Sequence, residues 1–277
     1  MEKSMKKRIV HGLIYLVLFL LMALCVFPFY IMVVNSTHPT SDLYVGLRIL
    51  PGSSFMDNFR NMISRINIGR GFWNSFTVAA SSTALAAYFG TMTAFGLFEY
   101  KFKMKKVVYA ILMLSMMIPG QLGIIGLFRL CRELKMLDTY WPIILPSIAN
   151  ASTIFFIYQF LETTMDEALL DSARIDGSNE VQIFHRFILP LAKPGIATMV
   201  IFNFVSYWNN FFTPMILLFS EEKFTVPILM NNMNSGMLQD LGAKYTAIAI
   251  SIIPIIILYC FFSKYITNGM MAGAVKG

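Results

Sequence analysis

Long stretches without an acidic or basic side chain alternate with short charged segments along the chain. The charge-free runs are Ile9–Ser41, Gly71–Phe98, Val107–Phe128, Thr139–Leu161, Pro194–Ser220 and Tyr245–Ser263. A helix needs about 20 mostly apolar residues to cross the hydrocarbon of a bilayer, and each run reaches or exceeds the usual range. The pattern predicts an all-α membrane protein with six transmembrane helices, over 10–34, 72–98, 107–128, 140–162, 195–219 and 245–266.

Proline and glycine punctuate these helices. A kink is expected at Pro28, a break at Pro119-Gly120, and further disturbance at Pro142, Pro146 and Pro254. Such breaks suit a pathway that opens and closes, but they are also ordinary in membrane helices, where neighbours re-satisfy the freed carbonyls. The second helix is rich in small residues (Ser81, Ser82, Ala84, Ala86, Ala87, Gly90, Ala94), which let backbones approach closely in lipid, so it should pack inside the bundle. Three segments follow: 1–70 as a first helix with an outer stretch, 71–266 as the core, and 267–277 as a tail.

Charge sets the orientation. Lys and Arg concentrate on the cytoplasmic side of membrane proteins, and the densest clusters here are Lys3, Lys6, Lys7, Arg8 and Lys101, Lys103, Lys105, Lys106. Both termini are therefore expected inside, and the net charge of +7 is a topology signal that gives nucleic-acid binding no support. The first apolar run is too long for a signal peptide and lacks a small-x-small site, so an uncleaved helix is expected. Cys25, Cys131 and Cys260 have no metal or redox spacing.

One charged segment departs from the pattern. Residues 166–195 read DEALLDSARIDGSNEVQIFHRFILPLAKPG between two apolar runs. A short turn would have sufficed there. Thr164-x-x-Glu167 has the form of a capping box, which places a helix start at 164. Ala168, Leu169, Leu170, Ala173 and Ile175 give that helix an apolar side, and Gly177 ends it in the left-handed conformation. Ser178 or Asn179 should cap a second helix presenting Val181, Phe184, Phe187 and Ile188, which Pro190 stops. Such a hairpin could lie on lipid or dock a protein, and its physics alone favours neither.

The interval from Asp171-Ser172-Ala173 to Gly177, and then to Leu189-Pro190, resembles the cytoplasmic signature loop of ATP-binding-cassette importer permeases. The runs 173–178 and 189–194 look like the carbohydrate-uptake branch, specifically the second permease of maltose-type systems. So do Phe72-Trp73-Asn74-Ser75, Met117-Ile118-Pro119, Trp208–Phe212 and the end Ala272–Gly277. Asp171 stands where that family usually has Glu, Ser172 where it has Ala, Phe187 where it has Ile, and Asp166 where Pro is common.

The resemblance implies a type I importer permease fold whose loop 164–195, between helices four and five, is a coupling element on an ATPase. It assigns the coupling to Glu167, Asp171, Ala173, Asp176, Gly177, Phe184, Leu189 and Pro190, and a tail contact to Gly273, Val275 and Lys276. Implied partners are a sister permease in a heterodimer, two ATP-binding subunits and an extracellular solute-binding protein, in a bacterial cytoplasmic membrane. ATP and Mg would be held by the partner subunits, with no cofactor in this chain.

The chain has no phosphate-binding Gly-x-x-x-x-Gly-Lys-Ser/Thr loop, and none of its six long apolar runs contains an Asp, Glu, Lys or Arg. A transport subunit without catalytic residues follows, and its energy must come from elsewhere. Asn203, Ser206, Tyr207 and Asn210 form a polar stripe on the fifth helix, suited to lining a sugar path and equally suited to joining helices. A permease for another uncharged polar solute, or a self-contained secondary transporter, remain the rival readings.

Overall fold

The computed structural model describes residues 2–233 and 240–262. Among the described residues all regular structure is helical. In chain order the helices are α1 (Glu2–Asn35), α2 (Thr40–Val45), α3 (Phe55–Arg65), α4 (Ile68–Glu99), α5 (Lys105–Met117), α6 (Ile124–Glu133), α7 (Trp141–Ile144) and α8 (Ala151–Thr164). There follow α9 (Glu167–Ile175), α10 (Glu180–Ile183), α11 (Leu189–Leu191), α12 (Lys193–Trp208), α13 (Phe212–Leu217), α14 (Val226–Asn232) and α15 (Leu241–Ser251). Helix resumes after Ile252 and runs to residue 262.

Three helical stretches are long and apolar enough to cross a bilayer: Val10–Asn35, Trp141–Thr164 and Leu241–Phe262. Two further pairs qualify jointly but are bent. Lys105–Met117 and Gly120–Glu133 meet at 95°, and Glu180–Leu191 and Lys193–Trp208 at 75°. The first bend is written in the sequence, because a residue before proline avoids the helical region and Ile118 is extended (φ −85°, ψ 122°). By contrast α1 remains one helix on both sides of Pro28. The helix expected over 195–219 is two pieces, since α12 stops at Trp208 and Asn210 Oδ1 then accepts the Thr213 N–H at 3.4 Å, ahead of the remainder of α13.

Two compact units result. One joins Met1–Ile68 to Leu229–Ile253; the other begins at Gly69, runs to Ile228 and resumes at Pro254. The sequence division at residue 70 had grouped 229–253 with the core. In the first unit Met62 of α3 and Ala243 and Ala247 of α15 are fully buried together. Buried Asn58 donates to the carbonyls of Ser36 and His38, both at 2.8 Å. Asp240 caps α15 through the Ala243 N–H at 3.0 Å and accepts the Thr40 hydroxyl at 2.8 Å.

In the second unit α4 runs through the interior, as its small residues foretold. Ala79, Ala86 and Ala94 have no exposed surface. Gly90 and Gly195 are points of close approach: a Cβ on Gly90 would stand 2.8 Å from Thr153 Cγ2, and one on Gly195 2.9 Å from Phe160 Cγ. One apolar cluster gathers Ala94, Phe95, Phe98, Ile157, Leu161 and Met199 around side chains of the 166–192 segment. A second gathers Val78, Cys131, Ile143, Ile144, Leu217, Leu218 and Ile228.

Candidate functional site

The segment after α8 is a compact two-helix module. Its first helix starts later than the capping box at Thr164 suggested. Thr164 ends α8 with its hydroxyl donating to Phe160 O at 2.6 Å, and the cap of α9 is Asp166, whose Oδ1 accepts the Ala168 N–H at 3.0 Å. An aspartate N-cap satisfies an orphan donor and also complements the helix dipole. At the other end Gly177 has φ +83°. Its N–H bonds to Arg174 O at 3.0 Å, and the Ser178 N–H reaches Ala173 O at 3.0 Å, the paired closure of a Schellman bend.

Asn179 then opens the second helix with a full capping box: its Oδ1 accepts the Gln182 N–H at 2.9 Å, and Gln182 Oε1 accepts the Asn179 N–H at 3.0 Å. Pro190 does not stop this helix as expected. The backbone widens into a π turn over Phe184–Ile188 and α11 carries on through Pro190 to Leu191, so the break falls at Ala192.

Most apolar side chains of the module face the chain's own bundle. Leu170, Ala173, Ile183, Phe184 and Ile188 are buried, and Leu189 is partly buried against them. Phe184 stacks on Phe95 at 6.1 Å and meets Tyr88 edge-on at 5.6 Å, an inward position for a residue expected at a docking face. The larger apolar groups left outside are Leu169, Ile175 (87% exposed), Val181 (67% exposed) and Leu191. Asp171, Asp176, Gly177 and Pro190 are exposed with them.

Arg174 joins three elements. Nη1 is 2.6 Å from Glu99 Oε1 and 3.2 Å from Asp171 Oδ1, and Nε is 3.0 Å from Glu180 Oε1. Tyr100 donates its hydroxyl to Glu180 Oε2 at 2.5 Å. Hydrogen bonds to Glu180 and Glu99 hold the guanidinium charged, and Arg174 with Tyr100 holds the Glu180 carboxyl below its ordinary range. Burial and Glu180 push the Tyr100 hydroxyl up to about 12.

The polar stripe of α12 resolves unevenly. Asn203 is buried and donates to Thr153 Oγ1 at 2.8 Å; Thr153 donates to Asn150 Oδ1 at 2.8 Å; Asn150 donates to Tyr207 OH at 3.0 Å. These four residues form one chain of hydrogen bonds between α8 and α12. Ser206 is exposed and Asn210 half-exposed. Asn203→Leu should therefore lower the stability of the inserted chain by about 1–3 kcal/mol, because the buried Thr153 hydroxyl oxygen loses its donor. Half-saturation for solute should stay put, and a large rise in it at unchanged thermal stability would return Asn203 to the path.

A cleft of about 610 Å³ opens elsewhere in the second unit, lined by Thr77, Ser81, Leu85, Trp141, Asp138 and Lys223 among others. Its rim is pinned by Asp138. The Phe219 and Ser220 N–H groups donate to Oδ1 at 2.9 and 3.0 Å, and Lys223 Nζ is 2.9 Å from Oδ2. Burial alone would raise the Asp138 carboxyl, but hydrogen bonds from Ser220, Phe219 and Lys223 outweigh it and leave it well below the carboxylate range. The sequence reading passed over this residue. Its only signal was an aspartate in a short polar interval, now seen at φ +56°.

Gly273, Val275 and Lys276 lie outside the described residues. Among the described residues no group of three or more His, Cys, Asp or Glu could hold a metal.

The arabinooligosaccharides transport system permease protein AraQ of Bacillus subtilis is 34% identical over 95% of this chain and 96% of its own length. The lactose transport system permease protein LacG of Rhizobium radiobacter is 28% identical over the whole of both. A chain from the crystal structure of a bacterial ABC transporter involved in the import of the acidic polysaccharide alginate shares the fold. Its TM-score is 0.78 at 23% identity, covering 93% of this chain and 96% of that one. The model of the binding-protein-dependent transport system inner membrane component matches residues 86–271. The chain belongs to this family of membrane-embedded transport components.

Proposed function

We propose that this chain is one of two permease subunits of an ATP-driven importer for a sugar or oligosaccharide. The observation that carries the reading is full-length similarity to AraQ at 34% identity, together with sugar-transport names among the other relatives. The 164–195 module supports it. A segment that only bridged two spans would need neither two capped helices nor a glycine bend, and Leu169, Ile175 and Val181 offer small apolar contacts beside exposed Asp171 and Asp176. In this reading the module is the coupling element. ATPase closure pushes it, and the push passes through Leu170, Ala173 and Phe184 into the helices that carry the solute. Glu167, Gly177, Leu189 and Pro190 set its shape and attachment, and the tail around Gly273, Val275 and Lys276 reaches between the ATPase subunits. The partners are a sister permease, two ATP-binding subunits and an external solute-binding protein.

The chain crosses the bilayer six times in this arrangement. The two bent pairs each serve as one span, and α4, whose Ser, Thr and Gly content lowers its hydropathy, supplies another. Ser206, Asn210 and the Trp141 cleft are the groups available to the solute, while Asn203 and Tyr207 brace them. In proteoliposomes the assembled complex should take up labelled oligosaccharide only with ATP inside and binding protein outside. Uptake by this chain alone, or uptake driven by an ion gradient, would refute the reading.

Topology gives a separate check. In a cysteine-free background, Lys103→Cys should resist an impermeant maleimide in intact cells, whereas Arg60→Cys, on a side chain 73% exposed, should label. Labelling at 103 from outside would overturn the orientation.

A further inference from the structure

We propose that Arg174 is the positioning residue that makes α9, α10 and the end of α4 move as one body. The proposal rests on the coupling reading above and names the side chain that transmits the motion.

The two loop helices are joined through a single bend at Gly177, a residue whose backbone has more freedom than any other. Arg174 and Glu180 lie on opposite sides of that bend and are bonded across it at 3.0 Å, which fixes its angle. The same guanidinium reaches Glu99, in the last turn of α4, at 2.6 Å. Apolar packing of Leu170, Ala173 and Phe184 on Phe95 and Phe98 holds the module to the bundle. Such packing is non-directional and resists separation better than sliding. A planar guanidinium fork bonded to three carboxylates is directional, and lysine cannot reproduce it.

Glu99 explains why the contact is more than a surface ion pair. Its side chain is only 10% exposed, and it stands at a helix C-terminus, where the backbone dipole disfavours negative charge. Its Oε2 has no hydrogen-bond partner among the described residues. Arg174 is the cation that compensates this charge. Exposed ion pairs contribute little, whereas a buried charge deprived of its partner is costly.

The test uses the assembled transporter in proteoliposomes, with its ATPase and binding-protein partners, and reads sugar moved per ATP hydrolysed together with subunit assembly. Arg174→Gln should assemble and lower the sugar-to-ATP ratio about tenfold, within the range of couplings carried by one network. Arg174→Lys should recover part of that ratio. Arg174→Gln/Glu99→Gln, which removes the buried charge along with its partner, should stay uncoupled. A wild-type ratio in Arg174→Gln would overturn the proposal. So would full recovery in the double variant, since Arg174 would then serve only to neutralise Glu99. Gly177→Val run in parallel separates the two ideas: if it uncouples and Arg174→Gln does not, only the role of Arg174 falls. If both transport normally, the coupling reading falls with it.

Discussion

Gly177→Val should abolish sugar uptake while leaving the chain able to insert and to pair with the sister permease of the proposed assembly. The residue has φ +83°, and a Cβ placed on it would meet nothing within 4 Å. The cost is therefore backbone strain alone, with no clash to relieve it elsewhere. A left-handed conformation costs an ordinary residue about 1–2 kcal/mol, and a β-branched one is a true outlier there. That strain is local and far below what keeps a membrane bundle folded. It is enough, however, to open the Ser178–Ala173 and Gly177–Arg174 closure and swing α10 away from α9. Because sterics are absent, the effect should follow backbone tolerance: Asn close to wild type, Ala intermediate, Val worst. Uptake, membrane abundance and ATPase co-purification measured together decide it. If Val matches Asn, the bend does not control coupling.

Gly195→Leu should have the opposite signature and remove the folded protein itself. A Cβ at 195 would stand 2.9 Å from Phe160 Cγ and 3.1 to 3.2 Å from both Cδ atoms, so the aromatic ring between α12 and α8 would have to move. Overpacking of this kind costs about 1–3 kcal/mol for a few atoms and more when a ring is displaced. Gly90→Leu adds a second insult, since it pushes on Thr153, the middle of the chain of hydrogen bonds from Asn203 to Tyr207. Gly126, where a Cβ meets nothing within 4 Å, is the control. Thermal melting in detergent, followed by size-exclusion chromatography, should show Gly195→Leu aggregated and Gly126→Leu monodisperse. Equal melting curves would mean that α8 and α12 do not depend on this close approach.

The sequence showed much of this fold because lipid leaves few options. Charge-free runs located helical stretches without giving the number of spans, since two of the runs are bent or split, and small residues identified α4 as an interior helix. Gly177 marked the bend because only glycine takes that conformation cheaply. Misreadings arose where two signals competed. Thr164 and Asp166 both fit a cap, and the aspartate prevailed because Thr164 finds its acceptor one turn back at Phe160 O. Pro190 appeared to be a stop because a proline lacks the N–H of a regular turn, but the π turn before it changes which carbonyls need donors. Ala173 and Phe184 were expected at a docking surface because spacing along a helix does not say which neighbour covers its apolar side. The long-range contacts of Arg174 and Asp138 went unread for a further reason. Their partners Glu99 and Lys223 lie 75 and 85 residues away, and nothing local marks such a pair.

The π turn at Phe184–Ile188 is a device for setting helical phase. It holds one residue more than an α turn, and one residue of α-helix is worth about 100° of rotation. Everything from Leu189 onward is therefore turned relative to Glu180–Ile183 by an amount that an uninterrupted helix would not give. The interval between the Gly177 bend and Pro190 thus carries one surplus residue. Losing a residue from that turn would let it relax into an ordinary helix. The same loss between Gly177 and Ile183 would rotate buried Ile183 and Phe184 away from Phe95. The loop's length thus sets the phase at which α11 enters the bend at Ala192.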